Sequence, residues 1–185
     1  MISLTEQKSV LLEWRREEGQ DLAYRLHTEE GIAASLAFPN RNDTLARVET
    51  AEGTWTLKHL GVLNPVVTLR EEGRRTNLAI FHPHAFRHGK LEFLDGALFD
   101  WITLHDEEPG GTFVDIEGKP MVRIHSRPPL TLIPGGGLVS GMVELGQAPR
   151  ARWRHGVLAA MAWYLLLIDQ WQEHPEHAAE TSLMM

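Results

Sequence analysis

Short runs rich in Val, Ile, Thr, Leu and Phe, set apart by Gly, Pro, Asn or Asp, fill the chain from Asp21 to about Leu145. This is the punctuation of strands and turns. Residues 46–50 and 54–59 flank Ala51, Glu52 and Gly53, where a glycine can supply the positive φ of a hairpin turn. The same spacing predicts hairpins from 66–70 with 77–81, from 90–94 with 98–104, from 112–116 with 120–124, and from 130–133 with 138–145. With the earlier segments 22–27 and 32–38, the chain offers about twelve strands in an antiparallel meander, regular enough for a sandwich or barrel. Residues 4–16 suit either a first strand or a short amphipathic helix, because Val10, Leu11, Leu12 and Trp14 satisfy both periods.

The pattern changes once. Residues 157–168 run from Val157 to Ile168 without a charge and are closed by Asp169, while Pro175 stops the helix from continuing. The run falls short of the roughly 20 residues that span a bilayer, so it is not a transmembrane segment by length. Nor has it a polar face for water, and a helix apolar all round must be surrounded. The β region is the only material available, which predicts a mainly β fold: an antiparallel closed β-barrel of about twelve strands around one buried hydrophobic C-terminal helix. Ala159, Ala160 and Ala162 would let strands approach closely, with Trp163 and Leu165 to Leu167 filling the space beyond them. The competing reading is a helix buried by oligomerisation or against a membrane surface. With 185 residues, one domain over 1–175 and a frayed tail over 176–185 are expected.

Hairpins such as Arg-Val-Glu-Thr-Ala-Glu-Gly-Thr-Trp-Thr-Leu (47–57) and Phe-Val-Asp-Ile-Glu-Gly-Lys-Pro-Met-Val-Arg-Ile (113–124), followed by a single apolar C-terminal helix, resemble the layout of the tubby C-terminal-like superfamily. Its members include the LURP-one-related proteins and the phospholipid scramblases. The resemblance covers nearly the whole chain and implies a barrel of about twelve antiparallel strands on a central hydrophobic helix. It also implies a noncatalytic role, as a binding or scaffold domain that contacts anionic lipid headgroups or a protein partner. No Lys and Arg signature matches the phosphoinositide site of tubby proteins, so the resemblance assigns no site residue. The absence of cysteine also departs from the cysteine-rich stretches of scramblases.

Composition narrows the classes. Hydrophobic residues make up 43% and charged residues 23%, values of an ordinary globular protein rather than a disordered one. A formal net charge of -7 argues against nucleic acid as a partner, which needs clustered cations to displace counterions. Without cysteine there are no disulfides, thiolate metal sites or cysteine nucleophiles. Residues 1–14 contain Glu6, Lys8 and Glu13 and no signal-like apolar stretch, so a cytoplasmic location is expected.

Two clusters carry candidate chemistry. His82, His84 and His88 surround Pro83, and a His-x-His pair on a strand puts two imidazoles on one face, where they could share a metal. The pair resembles the first cupin motif and raises the alternative of a metal-dependent β-barrel enzyme. Against it, Gly73 and Glu92 lie too far away for that motif, and Pro83 predicts a loop whose histidines face solvent. Arg150, Arg152 and Arg154 precede the apolar helix, where the positive end of its dipole makes extra cations unfavourable unless an anion or an acidic side chain meets them. They are therefore either an anion-binding site or members of rim ion pairs. Arg70, Arg74 and Arg75 form a second basic patch at an expected hairpin tip, read as solvated.

No catalytic residue follows from the remaining features. The Pro134 to Gly137 stretch lacks the Lys and Ser/Thr of a phosphate loop, and Asp95, Asp100, Asp106, Glu107 and Glu108 have no fixed spacing. No cofactor is implied. A lipocalin-like carrier is the third reading, disfavoured because the helix would occupy the interior that a ligand needs.

Overall fold

The computed structural model describes residues 1–4, 11–17, 19, 22–40, 43–61, 63–84, 88–104, 109–127, 139–146 and 154–173. Its strands are β1 (Leu11–Arg16), β2 (Ala23–Thr28), β3 (Gly31–Ala37), β4 (Ala46–Thr50), β5 (Gly53–Leu60), β6 (Val66–Glu71), β7 (Ala79–Pro83), β8 (Gly89–Phe93), β9 (Leu98–Leu104), β10 (Gly110–Asp115), β11 (Pro120–Arg127) and β12 (Ser140–Leu145), followed by helix α1 (His155–Glu173). Each strand pairs antiparallel with its sequence neighbour, and β12 pairs with β1, so the sheet closes into a twelve-stranded barrel. Closure leaves no unpaired edge.

The alternation read from the sequence is the inward and outward alternation of the wall. In β4, Ala46, Val48 and Thr50 are buried while Arg47 is exposed, and Arg47 is tied to Glu49 and Glu72 on the outer surface. Residues 11–16 resolve as a strand, which β12 and β2 hold on either side. The hairpin expected between 130–133 and 138–145 is not how β12 pairs: its partners are β11 and β1, and residues 130–133 lie outside the described residues.

Pro83 corrects a second expectation. It does not begin a loop; it ends β7 opposite Gly89, where a missing N–H costs the ladder little. Gly89 is glycine because a Cβ there would come within 2.2 Å of the Phe81 ring.

Strand direction fixes the two barrel ends. The tight connections after β2, β4, β6, β8 and β10 lie at one end, the turn end; the connections after β1, β3, β5, β7, β9 and β11 lie at the other, the loop end. β12 finishes at the turn end, so α1 starts there. Arg154, just before it, lies beside Asp95, and Gly156 lies against Thr50 and Glu52. The 19 residues of α1 extend for about 28 Å at 1.5 Å per residue, enough to run the barrel's length and emerge at the loop end.

Every residue from His155 to Tyr164 is buried, so no face of this stretch meets water. The helix is two residues longer at its start and five at its end than the apolar run, and along that extension Asp169, Gln170 and Trp171 are half-buried. Near the exit, the Tyr164 hydroxyl donates to the Thr44 carbonyl at 2.6 Å and accepts from the His59 N–H at 2.8 Å. These bonds join α1 to the wall. The helix packs most extensively on β11 and also on β10, β12, β3 and β4. It therefore leans toward one side of the lumen.

Candidate functional site

Opposite the side on which α1 leans, a cavity of about 560 Å³ lies between the helix and the arc of wall from β5 to β9, at the loop end. This corrects the expectation that the helix would leave no interior for a ligand: an off-axis cylinder fills a round lumen unevenly. The volume lies within the roughly 300–1,000 Å³ of small-molecule sites.

Strand register gives the cavity two layers. The deeper layer is apolar, with Val67 on β6, Phe81 on β7, Trp101 on β9 and Leu166 on α1, all buried. Two residues nearer the loop end on each element come the rim positions: Pro65, Pro83, Thr103 and Ile168, with His59, His84 and Asp169 beside them. An apolar floor under a rim of imidazole, hydroxyl and carboxylate suits a molecule with one greasy and one polar end. Trp101 is held in the wall by Gly111 on β10, since a Cβ there would lie 2.2 Å from its ring.

His59 continues the inward face of Trp55 and Leu57 and is half-buried. Burial pushes its pKa below the ordinary histidine value. Below about pH 6.5 the unfolded chain then binds more protons than the folded one at this site, so the contribution is complete above that pH and is lost as pH falls through the folded value. We expect the melting temperature to fall on acidification below about pH 6.5, and His59→Gln, which keeps the backbone bond to Tyr164, to flatten that limb. Identical profiles for the two proteins would contradict this.

The histidines singled out from the sequence do sit at the loop end. His82 and His84 are exposed, and His84 lines the cavity. His88 is half-buried, its Nδ1 accepting from the Thr103 N–H at 3.2 Å. Among the described residues, no three His, Asp or Glu side chains come together to hold a metal ion.

The arginines lie at the opposite end. Arg150 and Arg152 are outside the described residues. Arg154 is 7% exposed, paired with Asp95 and laid over the Phe93 ring at 4.5 Å. Burial pushes its pKa down, against the pull of Asp95. For this residue, the acidic side chain that the helix N-terminus demands is supplied from the turn between β8 and β9. In the second basic patch, Arg70 donates to Asn77 at 2.6 Å and Arg74 pairs with Glu71.

Sequence reasoning missed His59, Trp101, Thr103 and Asp169 as site residues. Asp169 was visible only as the charge that closes the apolar run; His59 offered a signal, a histidine at the end of an inward-facing row. The chain matches no known family model, no curated protein and no solved structure.

Proposed function

We propose that this protein is a noncatalytic binding module, akin in layout to the tubby-like barrels, that holds an amphipathic small molecule at its loop end. The observation that carries the reading is the cavity beside α1, with Val67, Phe81, Trp101 and Leu166 beneath a polar rim. Barrel and helix act as a rigid scaffold, and recognition is left to the end where the connections are longer.

The test is a titration with N-phenyl-1-naphthylamine, an uncharged dye that brightens in apolar surroundings. One saturable site per chain is expected, and Thr103→Trp, which places an indole at the mouth, should abolish it while the barrel still melts cooperatively. Saturable binding that is equal in the two proteins would place the ligand elsewhere.

Contact with an anionic lipid headgroup is a second reading, favoured by one feature of the turn end. α1 has no acidic residue in its own first turn, and the carboxylates beside its start, Asp95 and Glu52, come from turns of the wall. Arg154 is engaged by Asp95, and the contact would fall to Arg150 and Arg152. Co-sedimentation with phosphatidylserine vesicles should then fall with salt and be lost in Arg150→Gln/Arg152→Gln. Undiminished, salt-sensitive sedimentation of that variant would remove the two arginines from the account.

A further inference from the structure

Resting on the reading of the loop-end cavity as a binding site, we infer that the connection between β5 and β6 inserts into the surface of a lipid bilayer, so that the cavity takes its amphiphile directly from lipid. This connection is part of the cavity's mouth: Gly61 and Pro65 line the cavity, as do His59 and Val67 on the adjoining strands. Between Gly61 and Pro65, Leu63 is 93% exposed, and Leu60 at the end of β5 is exposed as well. Leu60 lies opposite half-buried Val66 on the outer side of the ladder. A tight bend holds the tip in place, with Gly61 at a φ of +82° and the Asn64 carbonyl oxygen 2.6 Å from where a Cβ would stand.

Charge decides which exposed apolar residues can leave water. Residues 60–67, Leu-Gly-Val-Leu-Asn-Pro-Val-Val, carry none. Leu94 and Ile116 are also exposed, at the turn end, but Asp95 and Glu117 follow them directly. Each tight turn of that end, at 28–31, 50–53, 71–74, 94–97 and 116–119, contains at least one Asp or Glu. Inserting such a turn would strip water from a carboxylate, whereas the tip between β5 and β6 brings leucine and valine with it. Size selects lipid over protein as the occupant. A stable protein interface takes about 20–30 residues a side, far more than one hairpin tip presents. A bilayer needs no complementary surface, and its hold on a peripheral protein grows with the apolar area inserted, so a small tip gives reversible attachment. Reversibility lets the barrel leave with what it has taken up.

The chain has no cysteine, so Leu63→Cys and Leu94→Cys each supply a single thiol for a nitrobenzoxadiazole label, whose emission moves to the blue on leaving water. With phosphatidylcholine vesicles, the label at 63 should shift and the label at 94 should not. The unlabelled full chain should co-sediment with these vesicles regardless of salt. Leu60→Gln/Leu63→Gln should weaken that partition about tenfold, while Leu94→Gln/Ile116→Gln leaves it unchanged. Free in solution, Leu60→Gln/Leu63→Gln should bind N-phenyl-1-naphthylamine like the parent, because neither leucine lines the cavity; a misfolded variant would not. Dye preloaded in the vesicles should pass to the parent at a rate that grows with vesicle concentration, and to the double variant at the rate of its escape into water. A parent chain that binds dye but ignores the vesicles overturns the insertion and leaves the cavity as a binding site. If the parent binds vesicles but takes no dye, the binding reading fails and direct uptake fails with it. A shift at 94 without one at 63, sedimentation abolished by salt, or equal transfer rates for parent and double variant each overturn the inference as well.

Discussion

Met161→Asp should leave the chain unable to fold, with no cooperative melt by circular dichroism and an expanded profile on sizing chromatography. Met161 lies mid-helix and is 0% exposed, on a stretch where every neighbour along α1 is buried as well. A carboxylate there must ionise in an apolar lumen or remain protonated, and either state costs several kcal/mol. The helix dipole offers little relief, because its influence of about 0.3–1 kcal/mol fades within the first turn. Set against a total stability of about 5–15 kcal/mol, the loss is decisive. Two companions separate burial from mere disruption. Met161→Leu conserves volume and should cost less than about 1.5 kcal/mol, whereas Met161→Ala leaves a cavity and should cost about 2–5 kcal/mol. A helix covered only by oligomerisation predicts another outcome: Met161→Asp would be a folded, cooperatively melting monomer.

The barrel was legible because its signal is local. Alternation with period two in segments such as 46–50 and 54–59 needs no knowledge of partners, and the structure places these strands within a residue of their expected bounds. Closure was legible through one further fact, the lack of a polar face on residues 157–168, which demanded an enclosure that an open sheet does not supply. What escaped depended on distant pairing. Nothing within residues 4–16 distinguishes strand from helix, because adjacent apolar residues there break the alternation; β12, from the far end of the chain, makes Leu11–Arg16 a strand. The partner of Arg154 was equally hidden, since Asp95 lies in a turn on the opposite side of the sequence from the helix.

The cavity was the least legible feature, and the reason is physical. A sequence encodes the groups that fill space, whereas a gap arises from where packing is tightest. Here the helix is drawn toward one side by residues that permit close approach, and room is left on the other. Gly141 in β12, which admits the Trp163 ring of the helix, is the sequence trace of that asymmetry, yet it becomes informative only when the ring it admits is known.

Trp163→Ala should therefore be the most destabilising truncation in the core, at about 3–5 kcal/mol. The Trp163 ring is 0% exposed. It stacks on Trp14 with centroids 6.1 Å apart and planes 6° from parallel, and it meets Tyr24 edge-on at 5.5 Å. Gly141, opposite Trp14 in the β1–β12 ladder, is what lets it reach the wall: a Cβ there would lie 2.6 Å from the indole. Removing the ring forfeits its burial, leaves a void between helix and wall, and breaks two aromatic contacts worth about 0.5–1.5 kcal/mol each. Gly141→Ala attacks the same contact from the other side. The ring is hemmed in by Trp14 and Tyr24, so overpacking should cost about 1–3 kcal/mol. The two effects must then be coupled. In a Trp163→Leu background the smaller side chain vacates the space, and Gly141→Ala should lose most of its penalty, giving a coupling energy of about 0.5–3 kcal/mol in a double-mutant cycle of urea melts. Strict additivity would mean that α1 does not press on β12 at Gly141.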